Sequence, residues 1–168
     1  AGGAFQQGLT PLSMMAAPSF NDAFVREGFA LAPLFTSGSM YLMAFVAPYE
    51  AETAGHATMR ATFTAMGIDS ANTFLVAGWA SQHHLKGVLE AANKGGDLTR
   101  AGIRRAAGSV YVDSDGMMPQ RELGQNRADA ESFIAVPDGT IASGVKLLAG
   151  NYVGPSAGGY DWESGPCS

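Results

Sequence analysis

The stretch from Asp69 to Asn93, DSANTFLVAGWASQHHLKGVLEAAN, constrains this chain more than any other. Asp69 and Ser70 offer side-chain oxygens to the free N–H groups of a helix start. Leu75, Trp79, Leu85, Val88, Leu89 and Ala92 then recur at three- and four-residue steps, while Gln82, Lys86, Glu90 and Asn93 fall on other faces. That period predicts a helix with one buried stripe. Gly95 and Gly96 release the chain behind it, as glycines past a helix end do. Trp79, a large amphipathic ring, stands near the start of this helix, where a ligand cleft in an α/β protein would lie.

The remaining elements follow in order. Leu12 to Ala17 is a short apolar run ending at Pro18 and reads as a buried strand. Pro18–Asp22 (PSFND) is a turn, with Ala23–Phe29 a short helix after it. Met40, Tyr41, Leu42, Met43, Phe45 and Val46 form a near-continuous apolar strand that Pro48 stops, and a strand covered on both faces favours a parallel sheet. Thr53 caps a helix whose Met59, Phe63 and Met66 share a face and which Gly67 closes. Thr99 caps another, with Ile103, Ala106 and Ala107 inward. From Val110 onward the style changes to short strands and turns: YVDSDGMMP, FIAVPDGT and VKLLAGNYVGP. The order β-α-β-α-α-α with a β-rich tail predicts an α/β layered fold. A helical middle with so few strands does not cover its own sheet, and the chain reads as part of a larger body.

Charge excludes some functions. Charged residues make up 15% of the 168 positions, and the formal net charge is −5. Arg100, Arg104, Arg105 and Arg121 do not interleave with aromatics, so no footprint for nucleic acid is present. The longest apolar run, Met40 to Pro48, is far below the roughly 20 residues of a membrane-spanning helix. No basic, apolar-cored leader opens the sequence, and a mature or trimmed chain would read the same way. The single cysteine, Cys167, excludes a metal site of paired cysteines and is a free thiol or bonded to a partner outside this chain.

Catalytic patterns are absent. His83 and His84 are neighbours and point about 100° apart on a helix, so they do not chelate as histidines at i and i+4 would; these two and His56 read as solvated helix-surface residues. Asp113–Gly116 (DSDG) has its glycine fourth and an acid, Glu122, tenth, against sixth and twelfth in a calcium loop, so it reads as a turn. There is no GxSxG, Walker or GxGxxG sequence. The chain offers no positive argument for an enzyme. Recognition remains. Ligands of open α/β sheets bind beyond the carboxyl ends of strands, where Pro18-Ser19-Phe20 and Ala47-Pro48-Tyr49 follow the two apolar strands. With Trp79 these supply three aromatics for an apolar cleft, and Ser19 for orientation.

In order, MMAAPSFND, GSMYLMAFVAPY, the helix with Met59 and Phe63, AGWAS and LTRAGIRRAA resemble the C-terminal half of a type I periplasmic solute-binding protein, of the branched-chain-amino-acid-binding kind that serves ABC importers. The resemblance runs from about Leu9 to Tyr160. It implies two doubly wound α/β lobes, hinged by strands that cross between them, of which only the C-terminal portion is present. Residues 1–46 would end the C-terminal lobe, 47–125 would form a helical segment of the N-terminal lobe, and 126–168 the return segment and tail. The implied ligand-binding residues are Pro18, Ser19, Phe20, Trp79 and, after the crossing, Tyr49. The amino-acid binders often place a carboxylate where this chain has Ser19, with Asp22 the nearest acid. The implied solute is accordingly amino-acid-like, an amide, or an aromatic or aliphatic acid. The resemblance implies no cofactor and no metal. Its partners are a membrane permease and the missing N-terminal half, to which Cys167 would be disulfide-bonded. Its setting is extracytoplasmic, with a lipid anchor on the absent half. A ligand-sensing domain of a regulator would have the same fold, and a hydrolase using His56 or His83 with a serine is the enzymatic rival.

Overall fold

The computed structural model describes residues 3, 6–9, 11–69, 72–119, 121, 122 and 131–155. Ser70 and Cys167 lie outside them. Strand β1 (Ser13–Ala16) runs into a 3-10 turn over Ala17–Ser19, and Asn21 caps a second such turn over Asp22–Val25. A short helix α1 (Ala32–Phe35) leads to β2 (Met40–Ala44). Three helices follow: α2 (Ala54–Ala65), α3 (Thr73–Lys94) and α4 (Arg100–Ala107). The chain closes with the two-residue pair β3 (Tyr111–Val112) and β4 (Arg121–Glu122), then β5 (Ser132–Pro137) and β6 (Val145–Tyr152).

The main sheet has the order β1-β2-β5-β6. Among the described strands β1 and β2 pair in parallel, while β5 joins β2, and β6 joins β5, antiparallel. The sheet is therefore mixed, and among the described residues only one of its faces is covered. Met40, Leu42 and Ala44 point into the molecule, whereas Met43 and Phe45 are 47% and 42% exposed. Met14, in the same alternation on β1, is 61% exposed. The expected fully covered strand is thus corrected to a half-covered one. An all-apolar strand states that both faces are suited to burial, but not that this chain supplies both layers.

The covered face holds Phe20, Val25, Leu42, Ala135 and Val145, with Phe24 and Phe35 packed against them. Its neighbour is a cluster of Ala17, Ala44, Ala47, Ala51 and Phe133. A third cluster joins the helices: Val46, Tyr49, Met59, Phe63, Val76, Ala80, Met117 and Met118.

Local chemistry explains the helix ends. Thr53 accepts the His56 amide and Thr99 the Gly102 amide, as their positions before apolar periods predict. The cap of α3 is Asn72, whose side chain accepts from the amides of Phe74 and Leu75, which moves the start from the expected Asp69–Ser70. The inward face of α3 is Val76, Ala80, Val88 and Ala92. Leu75, Leu85 and Leu89, expected in that stripe, are exposed, as is Phe74. Small residues face inward because α3 packs closely on its neighbours. The larger leucines form a second apolar face with nothing over it among the described residues. Met66, expected to share the buried face of α2, is exposed as well. The helix expected over Ala23–Phe29 is replaced by the 3-10 turn, which ends where Arg26 takes an extended conformation.

Candidate functional site

The crossing from β2 to α2 is held along its length. The Ala47 N–H donates to the Met117 carbonyl at 2.9 Å. Arg60 donates to the carbonyls of Tyr49 and Ala51, at 2.8 and 3.0 Å. Glu50 accepts from both the amide and the hydroxyl of Ser143, in the loop between β5 and β6. Gly55 lets α2 approach the Ser114–Met117 turn: a Cβ there would lie 2.5 Å from Met117 Cγ and 2.8 Å from the Ser114 carbonyl oxygen.

His56 completes this arrangement and corrects the expectation of a solvated histidine. It is 0% exposed, with Nε2 at 3.1 Å from the Ala47 carbonyl and Nδ1 at 2.8 Å from Thr53 Oγ1. A carbonyl only accepts, so Nε2 carries the proton and the Thr53 hydroxyl donates to Nδ1. Both ring nitrogens are engaged inside the protein, which removes His56 from any role as an accessible base. Burial holds its pKa below the ordinary 6.5, with Arg60 acting in the same direction and the Ala47 carbonyl opposing. The unfolded state therefore binds a proton more readily than the folded one. Its contribution to stability is complete above about pH 6.5 and is lost as pH falls toward the folded pKa, by at most about 1.4 kcal/mol per pH unit. Urea unfolding at pH 7.5 and 5.5 is expected to show lower stability at the acid pH. His56→Gln is expected to remove that part of the difference.

Trp79 stands where the helical cluster meets solvent. Its ring makes a T-shaped contact with Phe63, centroids 5.6 Å apart at 83°, and Trp79 also lines an open groove of about 450 Å³. Gln82, His83, Lys86, Gly87 and Glu90 continue that wall along α3, and Tyr111–Asp113 with Asp115 form the wall opposite. Residues 79, 82, 83, 86 and 90 lie at steps of one, two and three helical turns, so one helix face carries the whole wall. The expectation placed Gln82, Lys86 and Glu90 on other faces than Trp79; a strict count of helical angles would have found them beside it. His83 is half-buried in this wall rather than solvated. The DSDG segment is a turn as expected: Asp113 Oδ1 accepts the Asp115 amide at 2.9 Å, and Asp115 and Gly116 both have positive φ.

The other residues singled out in the sequence are placed as follows. Pro18 and Ser19 are exposed on the 3-10 turn after β1, which abuts α3. Phe20 is 2% exposed and belongs to the sheet core, with ring partners Phe24 and Phe35. Tyr49 is buried in the helical cluster that Trp79 packs on, and its hydroxyl reaches the Asp69 carbonyl at 3.5 Å. Trp79 and Tyr49 thus share one cluster, and Phe20 lies in another. Asp22 pairs with Arg26 at 3.5 Å.

No protein-family model matches this sequence, and no curated protein matches it significantly. Among solved structures, the fold is similar to that of a fatty acid ABC transporter substrate-binding protein from Thermomonospora curvata, with a TM-score of 0.77 and 19% identity. The fold is periplasmic-binding-protein-like. The match covers 95% of this chain and 41% of the other, so this chain spans less than half the length of that protein.

Proposed function

We propose that this chain is part of the extracytoplasmic solute-binding component of an ABC importer and holds a small organic solute by non-covalent contact. The observation that carries the reading is the likeness of fold across nearly the whole chain, reached independently of the sequence resemblance. The open groove beside Trp79 supports it, since solute sites are concave and mix an apolar wall with a few polar groups. In this reading Trp79 contacts the solute, and Pro18 and Ser19 contribute from the turn that abuts α3. Phe20 and Tyr49 lie beneath these contacts, in the sheet core and the helical cluster.

Residues 1–46 with 126–168, and residues 47–125, are the parts of two lobes. The exposed apolar residues of the sheet (Met14, Met43, Phe45) and of α3 (Leu75, Leu85, Leu89) are the faces on which the complementary half rests. Exposed apolar residues gathered on a sheet face and a helix face call for a cover. The neighbour's extra length is of the right order to supply one. The partners are then that half, a membrane permease and the solute.

Thermal-shift screening of amino acids, amides and organic acids tests the reading. Trp79→Ala is expected to weaken a stabilising solute by about 1–3 kcal/mol. Stability of the unliganded variant, measured separately, accounts for the lost contact with Phe63. A solute bound equally well by wild type and Trp79→Ala would remove the groove from the site.

A further inference from the structure

We propose that the end of the groove nearest Trp79 binds an organic cation, an ammonium or guanidinium group carried on a small apolar body. The inference rests on the solute-capture reading and adds the charge of the solute.

The course of the chain places the walls. A Cβ on Gly87 would stand 3.2 Å from Val112 and 4.0 Å from Val110, so β3 crosses α3 at Gly87. Met117 then packs with Val76 and Ala80, near the start of α3. Between these two points the chain runs antiparallel to α3, carrying Asp113 and Asp115 toward His83 and Trp79. Tyr111 is left beside Lys86 and Glu90.

Charge follows the same division. Lys86 lies 3.8 Å from Glu90 on its own helix, so the one ammonium group among the groove's described lining residues is already offset. Among the described residues no lysine or arginine ion-pairs with Asp113 or Asp115. The Asp115 amide fixes the Asp113 carboxylate in its turn. At the Trp79 end a solute therefore meets an aromatic ring and two carboxylates, with Gln82 and His83 as further hydrogen-bonding groups. An aromatic ring attracts cations, and the two exposed carboxylates at the rim of the groove attract them as well. A carboxylate solute would meet like charge at the same place. The cavity and the ring make the site; the aspartates decide the sign.

The test titrates the full chain with phenethylammonium, agmatine and choline, and in parallel with octanoate and phenylethanol, followed residue by residue by NMR at millimolar ligand. At least one cation is expected to shift the Trp79 indole N–H and the amides of His83 and Asp113. The double variant Asp113→Asn, Asp115→Asn is expected to weaken it by about threefold to tenfold, the range for two exposed charge pairs. Both substitutions preserve the turn, because an asparagine Oδ1 accepts the same amide and asparagine tolerates positive φ. Unchanged melting of the double variant confirms this. Octanoate shifting these signals while the cations do not would overturn the charge assignment and leave solute capture standing. Full-strength cation binding by the double variant would also overturn it. Silence from every probe would overturn both.

Discussion

Phe20→Ala is expected to destabilise the protein by about 3–5 kcal/mol, the range for emptying a phenylalanine site in a core. Phe20 packs among Val25, Leu42, Ala135 and Val145, with the Phe24 ring edge-on at 6.0 Å and Phe35 at 6.4 Å. Its removal strips the layer that joins β2, β5 and the turns after β1. Denaturant midpoints measure the loss. Solute affinity of the folded fraction is expected to hold, because the ring faces the sheet and not the groove. A variant of wild-type stability and reduced affinity would show instead that Phe20 touches solute, as the sequence suggested.

The second large effect is at Met59, which is wholly buried among the residues joining the end of β2, helices α2 and α3, and the Ser114–Met118 turn. Met59→Ala is expected to cost about 2–5 kcal/mol. Met59→Leu, close to it in volume, is expected to cost less than about 1.5 kcal/mol. Met66, just past the end of the same helix, is exposed, and Met66→Ala is expected to stay within about 0.5 kcal/mol of wild type. Chemical denaturation of the three variants separates the buried cluster from the exposed helix end. Equal losses at 59 and 66 would contradict the packing described.

What the sequence discloses depends on how local its cause is. Thr53 and Thr99 cap the helices they were expected to cap, and Gly67 ends α2 with φ +75°, because caps and closing glycines act over three or four residues. The β-rich tail is likewise visible in β5 and β6. The face of α3 was harder to read. Leu75, Leu85 and Leu89 are more hydrophobic than Ala80 and Ala92, yet the alanines are inside. Hydrophobicity measures the benefit of burial, while close packing of α3 on Phe63 and Met117 selects for size. His56 shows the same limit. Its neutrality comes from burial in the crossing, where its ring reaches the Ala47 carbonyl nine residues away, and no helical period predicts either.

The site divides similarly. Trp79 stands out as the aromatic at the head of the central helix. Gln82, His83, Lys86 and Glu90 are recoverable from its helical angle. Asp113 and Asp115 reach the groove only because Val112 crosses at Gly87, a tertiary contact with no local mark beyond a missing side chain. Ser19 and Phe20, adjacent in sequence, separate in space because a 3-10 turn leaves one exposed and buries the next.

Hydrogen exchange of the full chain, with and without a solute found by the thermal-shift screen, tests solute capture in the groove most directly. Added protection is expected in residues 79–90 and 111–116, with the β5–β6 pair unchanged. Protection confined to the sheet, or spread evenly over the chain with none gained at the groove, would contradict the account.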